Sequence, residues 1–256
     1  MHCCLILKGY VNDAFNNNYM NEFIEYINNR YENMDIYIQS WCKKNEEERS
    51  YNEGYITQNT VMSYFNRNHL IKKIILLDKK DEFTINNENI ISNKLIKNKL
   101  LNDKKLKDSW KGNYFITEHI INTNINYDFV INMKIDFFGN NMFQNVHNKK
   151  RVFKYKILSK TTYDINYKFL YLRIVNYLNQ GGNKSKKLPF FLDNKEFPGI
   201  DNFYIGNMEQ MHKLSKLFYI HFNYLIQNLE NKYLYINTES ILYKVSLTLD
   251  RFVIPE

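Results

Sequence analysis

The sequence predicts an α/β protein with a Rossmann-like, mostly parallel sheet flanked by helices and an antiparallel C-terminal portion. Two observations lead to this class. Short apolar runs alternate with segments of helical periodicity through the first half of the chain, and the run YDFVINMKIDFFGNN at 127–141 is too apolar for a surface strand. A length of 256 residues suffices for one substantial core, and we expect a single domain over 1–256.

The first half predicts the element order β-α-β-α-β-α-α-β. Strands are predicted at 3–7, 35–41 and 72–77 and in the apolar run at 127–141. The helix after the first strand rests on apolar residues that recur every four positions: Phe15, Tyr19, Phe23, Ile27 and Tyr31. Further helices are predicted at 57–68 and 90–101, and another has one face formed by Trp110, Tyr114, Glu118 and Ile121.

The second half has a different pattern. Residues 151–158 alternate apolar and polar side chains, as an edge or antiparallel strand does, and 163–178 is predicted to be helical. A polar loop follows at 183–187, a short strand at 201–206, and a last strand and helix at 233–236 and 238–249. A long helix is predicted at 208–229 with these side chains inward: Met211, Leu214, Leu217, Phe218, Phe222 and Leu225.

The amino-acid composition excludes few classes of function. The formal net charge of +8 permits contact with nucleic acid, an anionic membrane surface or phosphate-bearing substrates, but no nucleic-acid-binding motif accompanies it. Nucleic-acid binding is therefore the minority hypothesis, and peripheral membrane contact stays open. The three cysteines form no disulfide or metal-binding pattern, and no signal peptide or long apolar segment is evident, so we expect a cytoplasmic protein.

Polar residues at predicted strand ends are the candidates for chemistry, since the common nucleotide and hydrolase motifs are missing. Lys8 and Gly9 end the first strand, and Lys134 and Asp136 end the central one. The carboxyl ends of parallel strands line the ligand crevice in open α/β sheets. Lys8 and Lys134 could oppose a diphosphate, and Asp136 could hold a divalent cation. The alternative is that such corners are simply polar turns.

Six blocks, in order along the chain, carry a resemblance to a known family: KGYVNDAF (8–15), DIYIQSW (35–41), WKGNYFI (110–116), YDFVINMKIDFF (127–138), IDNFYIGN (200–207) and NTESILYKV (237–245). On these blocks the chain resembles the GT-A-type glycosyltransferases of bacterial surface-polysaccharide loci and large DNA viruses. In that family the first strand tends to end Arg-Gly and the central strand Arg-x-Asp. Lys8 and Lys134 stand at the arginine positions, and a strict Asp-x-Asp metal motif is absent.

The resemblance implies a GT-A-like fold and a UDP- or GDP-linked sugar donor, with a glycan or lipid-linked acceptor. It places the base and ribose near Lys8, Gly9 and Trp41, and the diphosphate near Lys134 and Asp136. Asp136 is the candidate ligand for Mn²⁺ or Mg²⁺. If the chain is viral, its compartment is the host cytoplasm.

The resemblance also implies a carboxylate base on the acceptor side, within hydrogen-bond reach of the attacking hydroxyl. Asp201 is the first candidate for this catalytic role and Glu239 the second. A turn role for Asp201 and a helix-dipole role for Glu239 are the alternatives. The rival function is a catalytically inactive GT-A-like protein that binds a glycan or a protein partner.

Overall fold

The computed structural model describes residues 1–11, 14–31, 33–43, 55–78, 103–137, 191–192, 195–196, 203–222, 224–225, 245 and 249. The predicted elements at 90–101, 151–158, 163–178, 183–187 and 233–236 lie outside these residues, as does nearly all of 238–249.

In the part of the chain that the structure describes, five strands form the main sheet, in the order β3-β2-β1-β4-β7. They are β1 (His2–Lys8), β2 (Asn33–Trp41), β3 (Ile71–Leu77), β4 (Phe129–Lys134) and β7 (Phe203–Gly206). The first four run parallel, and β7 pairs antiparallel with β4. A separate two-stranded antiparallel sheet joins β5 (Phe191–Leu192) to β6 (Lys195–Glu196).

The described ranges include the α-helices α1 (Tyr19–Arg30), α2 (Gln58–Tyr64), α3 (Asp103–Asn122) and α4 (Met208–Tyr219). Short 3₁₀ helices, Ala14–Asn16 and Asn68–Leu70, precede α1 and β3. The predicted α/β class, with parallel strands and flanking helices, is therefore confirmed. The finer GT-A-like likeness and the antiparallel C-terminal portion as a whole stay predictions.

The second helix, α2, is shorter than the predicted helix at 57–68. Thr57 caps its first turn, where its side chain accepts from the Thr60 backbone N–H and that of Thr60 accepts from the Thr57 backbone N–H. The helix ends at Tyr64, because Phe65 takes an extended conformation and is buried. The next backbone N–H, of Asn66, donates to the Asn21 side chain on α1 at 3.0 Å. Tertiary contacts with α1 thus replace the last helical turn.

The sheet has an apolar core on each face, as the central strand predicts. Alternate residues of β1 divide between the cores: Leu5 and Leu7 pack with α1, and Cys4 and Ile6 pack with α3 and α4. All six side chains predicted to face inward from α4 and the residues after it are buried. Two of the four residues predicted for the buried face of α3, Trp110 and Tyr114, are buried, whereas Glu118 and Ile121 are half-buried. The buried face also includes residues that were not predicted: Asn113, Ile116, Thr117 and Ile120. Contact with both the sheet and α4 widens and turns this face.

A hydrogen-bonded cluster around Asp35 joins the strands near their amino ends. Asp35 accepts from the Tyr127 hydroxyl at 2.9 Å, lies 3.0 Å from the His2 ring and pairs with Lys72 at 3.2 Å. The hydroxyls of Tyr127 and Tyr37 share a further bond of 2.9 Å. Since these residues belong to β1, β2, β3 and the approach to β4, the cluster ties four strands together at this edge.

Burial, followed by hydrogen bonds and charges at Tyr37, Cys4 and Asp35, raises the pKa of Tyr127 well above its ordinary value. The folded chain keeps the Tyr127 proton at pH values where the unfolded chain, with a tyrosine pKa of about 10, has lost it. This contribution to stability is complete below about pH 10 and is lost as the pH rises above it.

The Tyr127→Phe variant tests this linkage, because phenylalanine has no proton to lose. Urea denaturation between pH 10.5 and 11.5 should show the wild type losing stability more steeply, by about 1.4 kcal/mol per pH unit. Identical slopes for the two proteins would contradict the protonated, hydrogen-bonded Tyr127.

Candidate functional site

Two lysines end adjacent parallel strands at the carboxyl edge of the sheet. Lys8 is the last residue of β1, Lys134 is the last residue of β4, and the two are direct partners in the strand register. Their positions in the alternation place both on the face that carries α3. From β1 the order runs to β2 and β3 on one side and to β4 on the other. The pair therefore lies at the switch point where open α/β sheets bind ligands.

Two cations on adjacent strands repel each other. Neighbouring strands lie about 4.8 Å apart, and two isolated like charges at that spacing repel by about 3.5 kcal/mol at an effective dielectric constant of 20. An anion bound between the lysines would convert the repulsion into two attractions.

The two lysines differ in their exposure. Lys8 is 6% exposed, and its Nζ lies 4.7 Å from the centroid of the Trp110 ring on α3. Lys134 is half-buried. A ligand at this edge would therefore meet Lys134 first, with the Lys8 charge behind it in a less polar setting.

Gly9 continues the edge with a backbone conformation that other residues rarely adopt, at φ 97°. Its N–H donates to the Gln39 carbonyl at 3.0 Å, and its carbonyl accepts from the Ser40 hydroxyl at 2.9 Å. Apart from Gly9 and its two chain neighbours, no described residue has an atom within 4 Å of the position that a Cβ would take. The close backbone approach that the sequence predicts at Gly9 therefore has space among the described residues.

An aromatic pair lies beside Gly9 at the same edge. The rings of Tyr10 and Trp41 stack with centroids 5.4 Å apart and planes 14° from parallel, and both residues are half-buried. Sequence reasoning singled out Trp41 but not Tyr10, although Tyr10 directly follows Lys8-Gly9. Flat aromatic surfaces of this kind stack well on bases and sugar rings.

Asp136 lies in the turn that leaves β4. The Ile135 N–H donates to the Lys8 carbonyl at 2.8 Å, and the Phe137 N–H donates to the Lys134 carbonyl at 3.1 Å. These bonds hold the turn against the end of β1, and Asp136 is half-buried within it. In the described ranges no group of three or more His, Cys, Asp or Glu side chains is suited to a metal ion. Asp136 contributes one carboxylate to this edge of the sheet.

The structure thus brings Lys8, Gly9, Trp41, Lys134 and Asp136 to one edge of one sheet. Asp201 and Glu239, the two candidates for a catalytic base, lie outside the described residues. Sequence reasoning placed Trp110 on a helix but did not foresee its contact with Lys8, because nothing local in the sequence reports which strand end a helix covers.

A polar layer lies beneath the lysine pair, between α3 and the sheet. Asn132, buried on β4, donates from Nδ2 to Asn113 Oδ1 at 2.8 Å, and its own Oδ1 has no hydrogen-bond partner among the described residues. Gln39, the register partner of Lys8 on β2, is 2% exposed and lies under Gly112. A Cβ on Gly112 would come within 2.1 Å of Gln39 Cδ, so only glycine allows this approach.

No family model, curated protein or solved structure matches this chain. Among the described helices, none is long and apolar enough to cross a membrane.

The Gly112→Ala variant tests the close approach of α3 to β2. Alanine favours an isolated helix by about 1 kcal/mol over glycine, but overpacking typically costs about 1–3 kcal/mol. We expect a net loss in the free energy of unfolding, and we expect Gln39→Ala to restore most of it in the double variant. A stabilised Gly112→Ala protein, or strictly additive effects in chemical denaturation, would contradict this packing.

Proposed function

We propose that the chain is a nucleotide-sugar-dependent glycosyltransferase of GT-A-like fold, formed as one domain over 1–256. It transfers a sugar from a UDP- or GDP-linked donor to a glycan or lipid-linked acceptor. The observation that carries the proposal is the direct pairing of Lys8 with Lys134 at the carboxyl edge, at the switch point of the sheet. A diphosphate is the part of such a donor that two adjacent cations would bind.

The surrounding residues indicate where each part of the donor lies along the carboxyl edge of the sheet. The stacked Tyr10 and Trp41 rings provide a flat apolar surface for the base, next to Gly9, where the backbone leaves room. Lys8 and Lys134 lie next along the edge, because β1 lies between β2 and β4, and they bind the phosphates. The base therefore lies over the first strands and the diphosphate over the central pair.

The transfer itself creates negative charge where the lysines lie. The acceptor hydroxyl oxygen bonds to the anomeric carbon as the bond from that carbon to the phosphate oxygen breaks, and the electron pair leaves with the nucleoside diphosphate. The hydroxyl proton passes to a carboxylate base, for which Asp201 and Glu239 are the candidates. Fixed cations near the leaving oxygen stabilise the transition state, and loss of one such group typically costs about 3 kcal/mol of barrier.

A second candidate is a catalytically inactive GT-A-like protein that binds a glycan or a protein partner. The lysines at the two arginine positions of the family and the missing second aspartate of an Asp-x-Asp motif favour it. Binding of nucleic acid ranks third and rests on the net charge of +8 alone.

Substitution of Lys134 tests the anion site. Loss of one charge-assisted contact costs about 1.5–3 kcal/mol, so Lys134→Met should weaken UDP or GDP binding about 10- to 150-fold in calorimetric titration. Uridine or guanosine, which lacks phosphate, should bind as before.

Lys72→Met is the matched control, because it removes the same charge from β3 near the opposite edge, beside Asp35. It should leave nucleotide affinity unchanged. Equal losses in Lys72→Met and Lys134→Met would show a general charge effect rather than a site.

The rate of donor hydrolysis tests the role of Asp136. If it holds a cation or the donor, Asp136→Ala should lower hydrolysis of UDP- or GDP-sugars by about a hundredfold or more, measured with and without Mn²⁺ or Mg²⁺. Intact turnover in Asp136→Ala would remove Asp136 from the site. Tight nucleotide binding without any turnover in the wild type would favour the inactive binding protein.

A further inference from the structure

We propose that Trp110 is a positioning residue for Lys8: its indole face fixes the Lys8 ammonium at the carboxyl edge so that the charge acts on a bound diphosphate. The inference rests on the proposed function and adds to it a residue that does not itself touch the donor.

The geometry is that of a cation held on an aromatic face. The Lys8 Nζ lies 4.7 Å from the Trp110 ring centroid, within the range of about 6 Å over which a ring quadrupole attracts a cation. Tryptophan is the strongest of the aromatic side chains in this role. Both side chains are buried, at 6% exposure for Lys8 and 1% for Trp110, so water screens the contact little.

Residues other than Lys8 hold the Trp110 ring in place. Trp110 stacks on Phe218 of α4, with centroids 4.4 Å apart and planes 23° from parallel, and Phe218 is fully buried. The hydroxyls of Thr117 and Ser215 also join α3 to α4, at 2.7 Å. A close-packed ring leaves the ammonium little freedom to leave the edge.

The Trp110 ring positions the lysine without adding a net charge of its own. The Lys8 charge lies in a poorly screened region beside its register partner Lys134, at the edge where the diphosphate of the proposed donor binds. The stack of Phe218, Trp110 and Lys8 thus links the α3–α4 core to the charge at the edge.

The rival explanation is that Trp110 only fills the core. A packing defect would distort the whole edge and weaken uridine and UDP together. Loss of positioning would weaken UDP and leave uridine unchanged, because only UDP carries the charge on which Lys8 acts. The ratio of the two affinities therefore separates the explanations.

The experiment titrates UDP and uridine, or GDP and guanosine, into the full chain by calorimetry. The variants are Trp110→Leu, Trp110→Phe, Lys8→Met and the Lys8→Met/Trp110→Phe pair. Trp110→Leu should lower the UDP-to-uridine affinity ratio about five- to thirtyfold, and Trp110→Phe should lower it less. In the Lys8→Met background, Trp110→Phe should change the ratio no further.

Phe129→Leu is the control for packing, since Phe129 is fully buried in the other core and does not contact Lys8. It should reduce stability and leave the ratio unchanged. If Trp110→Leu does not fold, Trp110→Phe and its pair with Lys8→Met decide the question alone.

Two outcomes overturn the inference in different ways. In the first, the wild type binds UDP, but the UDP-to-uridine affinity ratio is unchanged in Trp110→Phe and Trp110→Leu, or Trp110→Phe lowers it equally with Lys8 present and in Lys8→Met. Either result rejects the role of Trp110 and leaves the proposed function in place. A wild type that binds neither UDP nor GDP rejects the proposed function and this inference with it.

Discussion

The parallel pairing of β1 with β4 is the constraint on which the account of this protein depends. It aligns Lys8 with Lys134 at the last position of each strand. Because side chains alternate along a strand, the same register that buries Ile6 and Val130 under α3 places both lysines on that face. A shift by one residue would send the lysines to opposite faces and would also expose the apolar residues beside them. Core burial and charge placement are therefore set by one register.

The two edges of the sheet use polar groups differently. Near the amino ends, Asp35 is surrounded by donors from neighbouring strands, so its charge is balanced and serves cohesion. At the carboxyl edge, two cations are adjacent, a glycine leaves space and an aromatic pair is half-exposed. The second arrangement brings two lysines together on one face of the sheet, and the proposed anion site depends on this concentration of positive charge.

Much of the fold could be predicted from the sequence, because apolar runs and helical spacing report burial directly. The strands β1, β2 and β3 lie within two residues of their predicted starts and ends, β4 lies inside the apolar run at 127–141, and the inward side chains of α4 agree. Features that depend on contacts between distant segments could not be predicted. Among them are the end of α2 at Tyr64 and the approach of Gly112 to Gln39.

The residues of the candidate site could also be predicted from the sequence, but their contacts could not. The rule that ligands bind at the carboxyl ends of parallel strands selects Lys8 and Lys134 without any coordinates. Their direct pairing requires the strand order, and the contact of Lys8 with Trp110 requires the packing of α3. The roles of Asp201 and Glu239 stay predictions from the resemblance.

A crystal structure of the chain with UDP or GDP is the most direct test of the proposed donor site. We expect the diphosphate at the carboxyl edge, within hydrogen-bond distance of Lys134, with the base against Tyr10 and Trp41. A nucleotide bound elsewhere on the molecule, or turned so that its phosphates point away from the lysine pair, would contradict it.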